Sequence, residues 1–295
     1  MEIGELVAMD IDREDDWECP FAHDKPGKVK NDLRPAKSDV LGTSLGNGTS
    51  TQKWESVAGV IKPKRIRDPA LAEPKLAAVR PPHTVMVALD HLGNTVPLPF
   101  SISAHHLIPS DASLPKSHLK HYISGGKIID GDIGYGVNGA ENGVWLPTHQ
   151  ALSQDMPVLP FEQAKKAYAD ISDEGNELVG STISHYANAV MEQSTRQFHD
   201  SHPNYSNFVT KVLNKIQANL AIIKNFNCKK CQEAKSNSGK LPPPHGLVFR
   251  LNAVSRDLER RLLGNPMTWR SPVYTSRYAK ELTENARRLR ARGRS

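Results

Sequence analysis

The sequence predicts an α+β fold, a small strand-built centre embedded in a largely helical chain, and three observations carry that prediction. Residues 84–100 alternate in the manner of a hairpin, with Val85-Met-Val-Ala-Leu89 and Val96-Pro-Leu-Pro-Phe100 on either side of a turn at Asp90-His-Leu-Gly-Asn94. Asn142-Gly-Val-Trp-Leu-Pro147 reads as a further short strand bounded by Gly and Pro. Beyond residue 160 the apolar spacing changes to three and four, the period of an amphipathic helix. Only 38% of the residues are hydrophobic and 6% aromatic, which points to a modest core with many loops rather than a dense bundle or sandwich.

Taken in order, residues 1–83 mix Gly, Pro, Ser and Lys, with Leu41-Gly-Thr-Ser-Leu-Gly-Asn-Gly48 and the Pro-Lys-Arg-Ile-Arg-Asp-Pro run at 63–69. Little periodic apolar pattern interrupts them, so the expectation is a poorly ordered, extended leader suited to binding an adaptor. Residues 84–225 form the expected central domain. Within it, 161–198 reads as helical on Phe161, Ala164, Ala167, Tyr168 and Ile171, then on Ile183, Tyr186, Ala187, Val190 and Met191. Asp200-Ser-His-Pro203 reads as a helix start, with Pro in the first turn. The stripe Phe208, Val209, Val212, Leu213, Ile216, Leu220 and Ile223 extends that helix to about Asn225. Residues 226–295 form a basic C-terminal extension: a Ser/Gly/Pro linker at 236–246, a helix over 247–264, and a basic helix or disordered tail over 277–295.

The net charge of +6 conceals a split, because residues 203–295 hold 19 Lys and Arg against 5 Asp and Glu. A module of that sign collects phosphates and releases counterions. A solvated surface kept for solubility is the plain alternative. No run reaches the roughly 18 apolar residues needed to cross a bilayer. The opening Met-Glu-Ile-Gly-Glu-Leu is acidic where a secretory signal is basic and then apolar, which argues against ordinary Sec export. Three cysteines cannot build a disulfide framework and suit a reducing cytoplasm or a metal site. Cys228-Lys-Lys-Cys231 has zinc-knuckle spacing, and Cys19-Pro-Phe-Ala-His23 could donate the other two ligands of a structural Cys3His zinc site. His245 is a rival partner, and thiols outside any site are the plain alternative.

The sharpest local signal is Ala104-His-His-Leu-Ile-Pro109. Adjacent residues on a strand point to opposite sides, so His105 and His106 can divide labour, one ring holding a metal while the other takes a proton from water. Alone, such a pair also suits a surface or a hydrogen-bonded core. Asn142, at the mouth of its short strand, can hold a neighbouring loop or imidazole through its side chain. In Phe198-His-Asp-Ser-His-Pro-Asn-Tyr-Ser-Asn-Phe-Val209, His199 and His202 sit at the opening of a helix, where they can converge on a metal.

In that order, AHHLIP, NGVWLP and HDSHPNYSNFV resemble the AHH nucleases of the HNH/endonuclease VII superfamily, common as toxin domains of bacterial polymorphic and secreted effectors. The resemblance covers residues 84–216. It implies a ββα-metal core, a two-stranded hairpin and one helix gripping a single divalent ion. It also implies roles: His105 as the first metal ligand, His106 as the general base, Asn142 as the orienting asparagine, and His202 with His199 completing the metal site. Residues 148–198 separate Pro147 from His199, a long interval for this fold, which makes His149 a rival ligand. The metal could be Mg, Mn, Ni or Zn. DNA is the expected substrate ahead of RNA, gripped by Arg287, Arg288, Arg290, Arg292 and Arg294. The family further implies a toxin made in a bacterial cytoplasm, neutralised by an immunity protein and delivered without a signal peptide, in a type VI-like manner, into a target cell. A non-catalytic zinc-containing nucleic-acid-binding protein and a phage or mobile-element HNH nuclease are the alternatives.

Overall fold

The computed structural model describes residues 19, 21, 30–31, 33, 83–88, 95–138, 140–148, 177–223 and 229–293. Strands β1 (His83–Ala88) and β2 (Thr95–His106) pair antiparallel, His83 opposite Phe100 and Ala88 opposite Thr95. With β3 (Gly143–Thr148) they make a three-stranded sheet in the order β1-β2-β3. Val85 and Val87 are buried with exposed Met86 between them, and Leu98, Phe100 and Ile102 continue the alternation on β2. All six residues of β3 are buried, so that strand has no solvent face.

The helices are α1 (Glu177–Ser194), α2 (Pro203–Ile223), α3 (Lys229–Ser238), α4 (Gly246–Leu262) and α5 (Arg277–Arg292). The architecture is α+β, as the sequence predicts. α2 starts at Pro203, where a missing N–H costs nothing because the first turn has no intrahelical acceptor. The helix expected to run to 198 stops at Ser194, because Thr195 takes φ of 53° and Arg196 bridges to Leu263 instead. The earlier part of that expected helix, 161–176, lies outside the described residues. α3 occupies part of the expected linker, and Leu241 then forms a parallel bridge with Ile129.

Two compact units divide the chain, each drawn from three stretches: Met1–Lys37, His106–Asn142 and Pro203–Leu258 in one, Ser38–His105, Gly143–His202 and Glu259–Ser295 in the other. The second unit holds the sheet, whose core joins Phe100, Ile102, Trp145, Val190, Met191 and Trp269. Phe198 meets the rings of Tyr186 and Tyr278 edge-on, each at 5.9 Å. Burying side chains of this size contributes roughly 1.5–3 kcal/mol each.

The first unit is built on α2, whose stripe Val209, Val212, Leu213, Ile216 and Leu220 is buried and packs on a 3-10 turn at His118–Tyr122. Three residues of the expected leader are packed there. Cys19 and Phe21 are buried, and Phe21 lies 6.2 Å from the Tyr122 ring. Asn31 donates to the Ile123 carbonyl at 2.8 Å and accepts from the Gly134 and Tyr135 amides. Among the described residues no helix is long and apolar enough to cross a membrane.

Candidate active site

In the sheet unit the alternation along β2 turns Ala104 toward the core and His105 to the opposite side of the strand. There the His105 ring meets those of His199 and His202, with centroids 4.7 and 4.9 Å away. One ring nitrogen from each residue falls within 4.8 Å of the other two, and among the described residues this is the group of three able to hold a metal ion. His199 Nε2 and His202 Nε2 approach to 3.2 Å, close enough to require a shared proton or a shared cation. Two imidazoles on one tetrahedral ion, with metal–nitrogen bonds of ~2.0–2.1 Å, stand ~3.3 Å apart, so the spacing fits. Burial lowers the pKa of His202 against the opposing pull of its own backbone and of Asp200, which favours the neutral, metal-binding form.

The backbone of His199 is fixed from both sides. Its amide donates to the Pro147 carbonyl on β3 at 2.7 Å, and the next amide, Asp200, donates to Thr275 at 3.0 Å. Arg196 reaches the Trp145 carbonyl, two residues along the same strand. Burial brings the Arg196 pKa down to about 10 in spite of Glu259, which leaves it charged at neutral pH. Gln197 is fully buried: its amide nitrogen donates to the Arg261 and Val273 carbonyls, and its oxygen accepts from Thr275. The Thr275 hydroxyl in turn donates to Phe198. The segment 196–200 is thus pinned between β3 and 261–275, and the long interval 148–198 returns to the strand it left.

In the other unit, His106 opens a loop that runs to Asn142. His106 Nε2 donates to Asn138 Oδ1 at 3.0 Å, leaving Nδ1 as the nitrogen able to take a proton. Burial lowers the His106 pKa, with the Asn138 hydrogen bond and the Asp111 charge acting against it, so the ring is neutral near pH 7. Asn142 is fully buried and uses its whole amide. The oxygen accepts from Ile108 N–H at 2.7 Å and from the Ser255 hydroxyl at 3.0 Å, while the nitrogen donates to Ile108 and Val137 carbonyls. Its own carbonyl accepts from Leu107 N–H at 2.9 Å. The Tyr205 hydroxyl closes the set with a 2.6 Å bond to the Leu107 carbonyl, and burial holds that phenol far above its usual range. Every backbone polar group of Leu107 and Ile108, the two residues after His106, is satisfied.

Of the residues singled out from sequence, His105, His199 and His202 come together. His106 contacts Asn138, and Asn142 binds the loop backbone. His149, His23, Cys228 and Arg294 lie outside the described residues. Cys19 and Cys231 meet at 3.6 Å. On α5, Arg288, Arg290 and Arg292 are exposed, whereas Arg287 is half-buried and its guanidinium donates to the Trp269 carbonyl. Sequence reading missed Asn138, Gln197 and Tyr205. Asn138 was hidden in Asn138-Gly139, which reads as a turn.

Searches of curated proteins and of solved structures find no match. A family model does match, over residues 87–237, just over half of the chain and spanning the histidine pair, Asn142, His199 and His202: AHH, a nuclease family of the HNH/ENDO VII superfamily with conserved AHH. The chain therefore belongs to the AHH family of nucleases.

Proposed function

We propose that the chain is a metal-dependent endonuclease that hydrolyses phosphodiester bonds of DNA, and that it serves as an antibacterial toxin neutralised by an immunity protein. The observation that carries the metal-dependent reading is the convergence of His105, His199 and His202, three imidazoles offering one ring nitrogen apiece within 4.8 Å. These residues fit a divalent ion, with His105, His199 and His202 as its holders. Such an ion, when bound, supplies positive charge to offset the negative charge that develops on phosphate and leaving oxygen.

His106 is the residue next to His105 in the chain, and its Nδ1 takes the proton from the attacking water. Asn138 holds the opposite edge of that ring and fixes the tautomer. Asn142 and Tyr205 hold the backbone that follows, so they act as positioning residues. In the family pattern a two-stranded hairpin and one helix form the ββα-metal core. A nucleic-acid substrate is supported by the positive excess of residues 203–295 and by the arginines of α5, and the digestion of DNA beside RNA decides between the two polyanions. The toxin reading, with delivery into a target cell, rests on the kinship of AHH domains with effector toxins.

The test is digestion of plasmid DNA and of total RNA by the full chain with Mg, Mn, Ni or Zn, beside His106→Ala. Loss of the base should reduce cleavage by about 10²–10⁴-fold while fold and metal binding persist. Near-wild-type cleavage by the variant removes His106 from the reaction, and RNA cut in preference to DNA reverses the substrate. Growth arrest on cytoplasmic expression in a bacterial host, relieved by His106→Ala, checks the toxin role.

A further inference from the structure

Two asparagine side chains hold the short stretch that leads into Asn138, and one of them lies in the N-terminal segment. Along that stretch Ile133, Tyr135 and Val137 are buried, with Gly134 and Gly136 between them. Asn138 comes next, the residue whose Oδ1 accepts from His106 Nε2 at 3.0 Å. Asn142 holds the end nearest Asn138, donating to the Val137 carbonyl at 2.9 Å.

Asn31 holds the other end. Gly134 takes φ of 85°, a conformation that glycine adopts without strain, and its amide and that of Tyr135 both donate to Asn31 Oδ1, at 2.8 and 2.9 Å. Successive amides turned to one side make a nest for a single acceptor. Asn31 is itself locked. Its Nδ2 donates to the Ile123 carbonyl at 2.8 Å and to Ser124 Oγ at 3.2 Å, while its main-chain amide donates to Asp132, whose other oxygen accepts from Gly125. The Ile123 carbonyl also accepts the Ile133 amide at 3.0 Å, and a Cβ on Gly125 would meet Gly131 Cα at 3.1 Å. The turn from 123 to 135 is therefore closed tightly, with Asn31 bonded to both of its ends. Yet Asn31 lies 103 positions from Gly134 and outside residues 87–237, the stretch that the family model matches.

We propose that Asn31 is a positioning residue for the reaction: by seating Gly134 and Tyr135 it sets the stretch that carries Asn138, and through Asn138 it orients the His106 ring. The proposal rests on the reading of His106 as the general base, and it makes the segment around residue 31 part of the nuclease machinery.

The test uses the full chain as Asn31→Ala, Asn138→Ala and the double substitution, assayed well below the Tm of each. Asn31→Ala should lower kcat by roughly 10-fold with KM and metal affinity unchanged, the effect of freeing a catalytic group from its outer partner. The double variant should fall no further than Asn138→Ala alone, because both substitutions act on one contact, whereas independent losses would multiply to roughly 100-fold. Ser124→Ala, which removes one bond of Asn31 away from Gly134, should leave kcat as it is. A second readout needs no cleavage. Ring ¹⁵N spectra should place the His106 proton on Nε2 in the native chain and show a shift toward the Nδ1–H tautomer in both Asn31→Ala and Asn138→Ala. If the chain cuts no nucleic acid, that shift still supports the positioning role and the nuclease reading alone fails. A lower Tm with kcat and the His106 spectrum unchanged overturns the proposal, as does a double variant whose losses multiply. Should Asn31→Ala fail to fold, hydrogen exchange in the native chain decides: slow exchange of the Gly134 and Tyr135 amides supports the Asn31 contact, and rapid exchange overturns it.

Discussion

The histidine cluster and the loop from His106 to Asn142 are both polar constructions, held by different means. His199 is placed by main-chain bonds, its own amide to Pro147 and that of Asp200 to Thr275, which almost any side chain would permit. The loop depends chiefly on one side chain, with Tyr205 beside it: Asn142 binds Ile108 twice, Val137 once and Ser255 once. A ladder of backbone bonds spreads the work over many residues, whereas a buried amide concentrates it. Substitution should therefore separate the regions, the first most sensitive at its three histidines and at Gln197, and the second at a residue that touches no substrate.

The largest effect is expected at the ligands. His105→Ala, His199→Ala and His202→Ala should each lower metal affinity, by more than the ~10–100-fold typical of losing an outer partner, and the rate should fall with it. His149→Ala should change neither. Calorimetric metal titration reads this, and unchanged binding in all three variants would dissolve the cluster as a metal site.

Next comes Asn142→Ala, which strands several buried backbone groups at once. A loss of about 3–5 kcal/mol is expected, seen as a drop in Tm on the order of 10 °C. Ser255→Ala, which takes away one of the two hydrogen bonds accepted by Asn142 Oδ1, should cost about 1 kcal/mol. Equal costs for the two would erase the contrast between the regions.

A smaller and sharper effect is expected at Asn138. Asn138→Ala frees the His106 ring to rotate, so kcat should fall by roughly 10-fold with metal affinity and KM unchanged. A parallel fall in stability without a selective loss of kcat would reduce Asn138 to a structural role.

The smallest effect concerns substrate grip. Deleting residues 286–295 removes Arg287, Arg288, Arg290, Arg292 and Arg294, and each lost phosphate contact should flatten the log–log salt slope of DNA binding by roughly 0.9. Fluorescence anisotropy over ~50–200 mM salt measures it. Cleavage at low salt and high enzyme concentration should survive, because Phe198, Gln197 and Thr275 remain in place. An unaltered slope would assign the positive tail to another use.

Much of this was legible before any coordinates. The hairpin of β1 and β2 followed from alternation with a Gly-Asn turn, and α2 from Pro203 and its apolar stripe. The three clustered histidines were legible because metal binding restricts residue type to a few, so that His105, His199 and His202 stand out in an ordered set of motifs. What placed them was not legible. The amide of His199 bonds to Pro147 through atoms that every residue but proline shares, and Gln197 has no periodic or compositional mark. The end of α1 was missed because Thr195 adopts a left-handed conformation that its type does not announce. α3 escaped because its sequence has almost no apolar face to detect.

The bond from His199 to Pro147 has one more consequence. It joins His199 to β3 directly, while α1 in the intervening chain packs on the sheet core, so the position of His199 does not depend on how many residues separate β3 from α1. For a flexible closed loop, doubling the number of residues adds only about 0.6 kcal/mol of closure entropy. The same nuclease centre could accordingly tolerate long or short inserts between β3 and α1, and that stretch is where new surface, and with it a new binding partner, could be acquired without disturbing the chemistry.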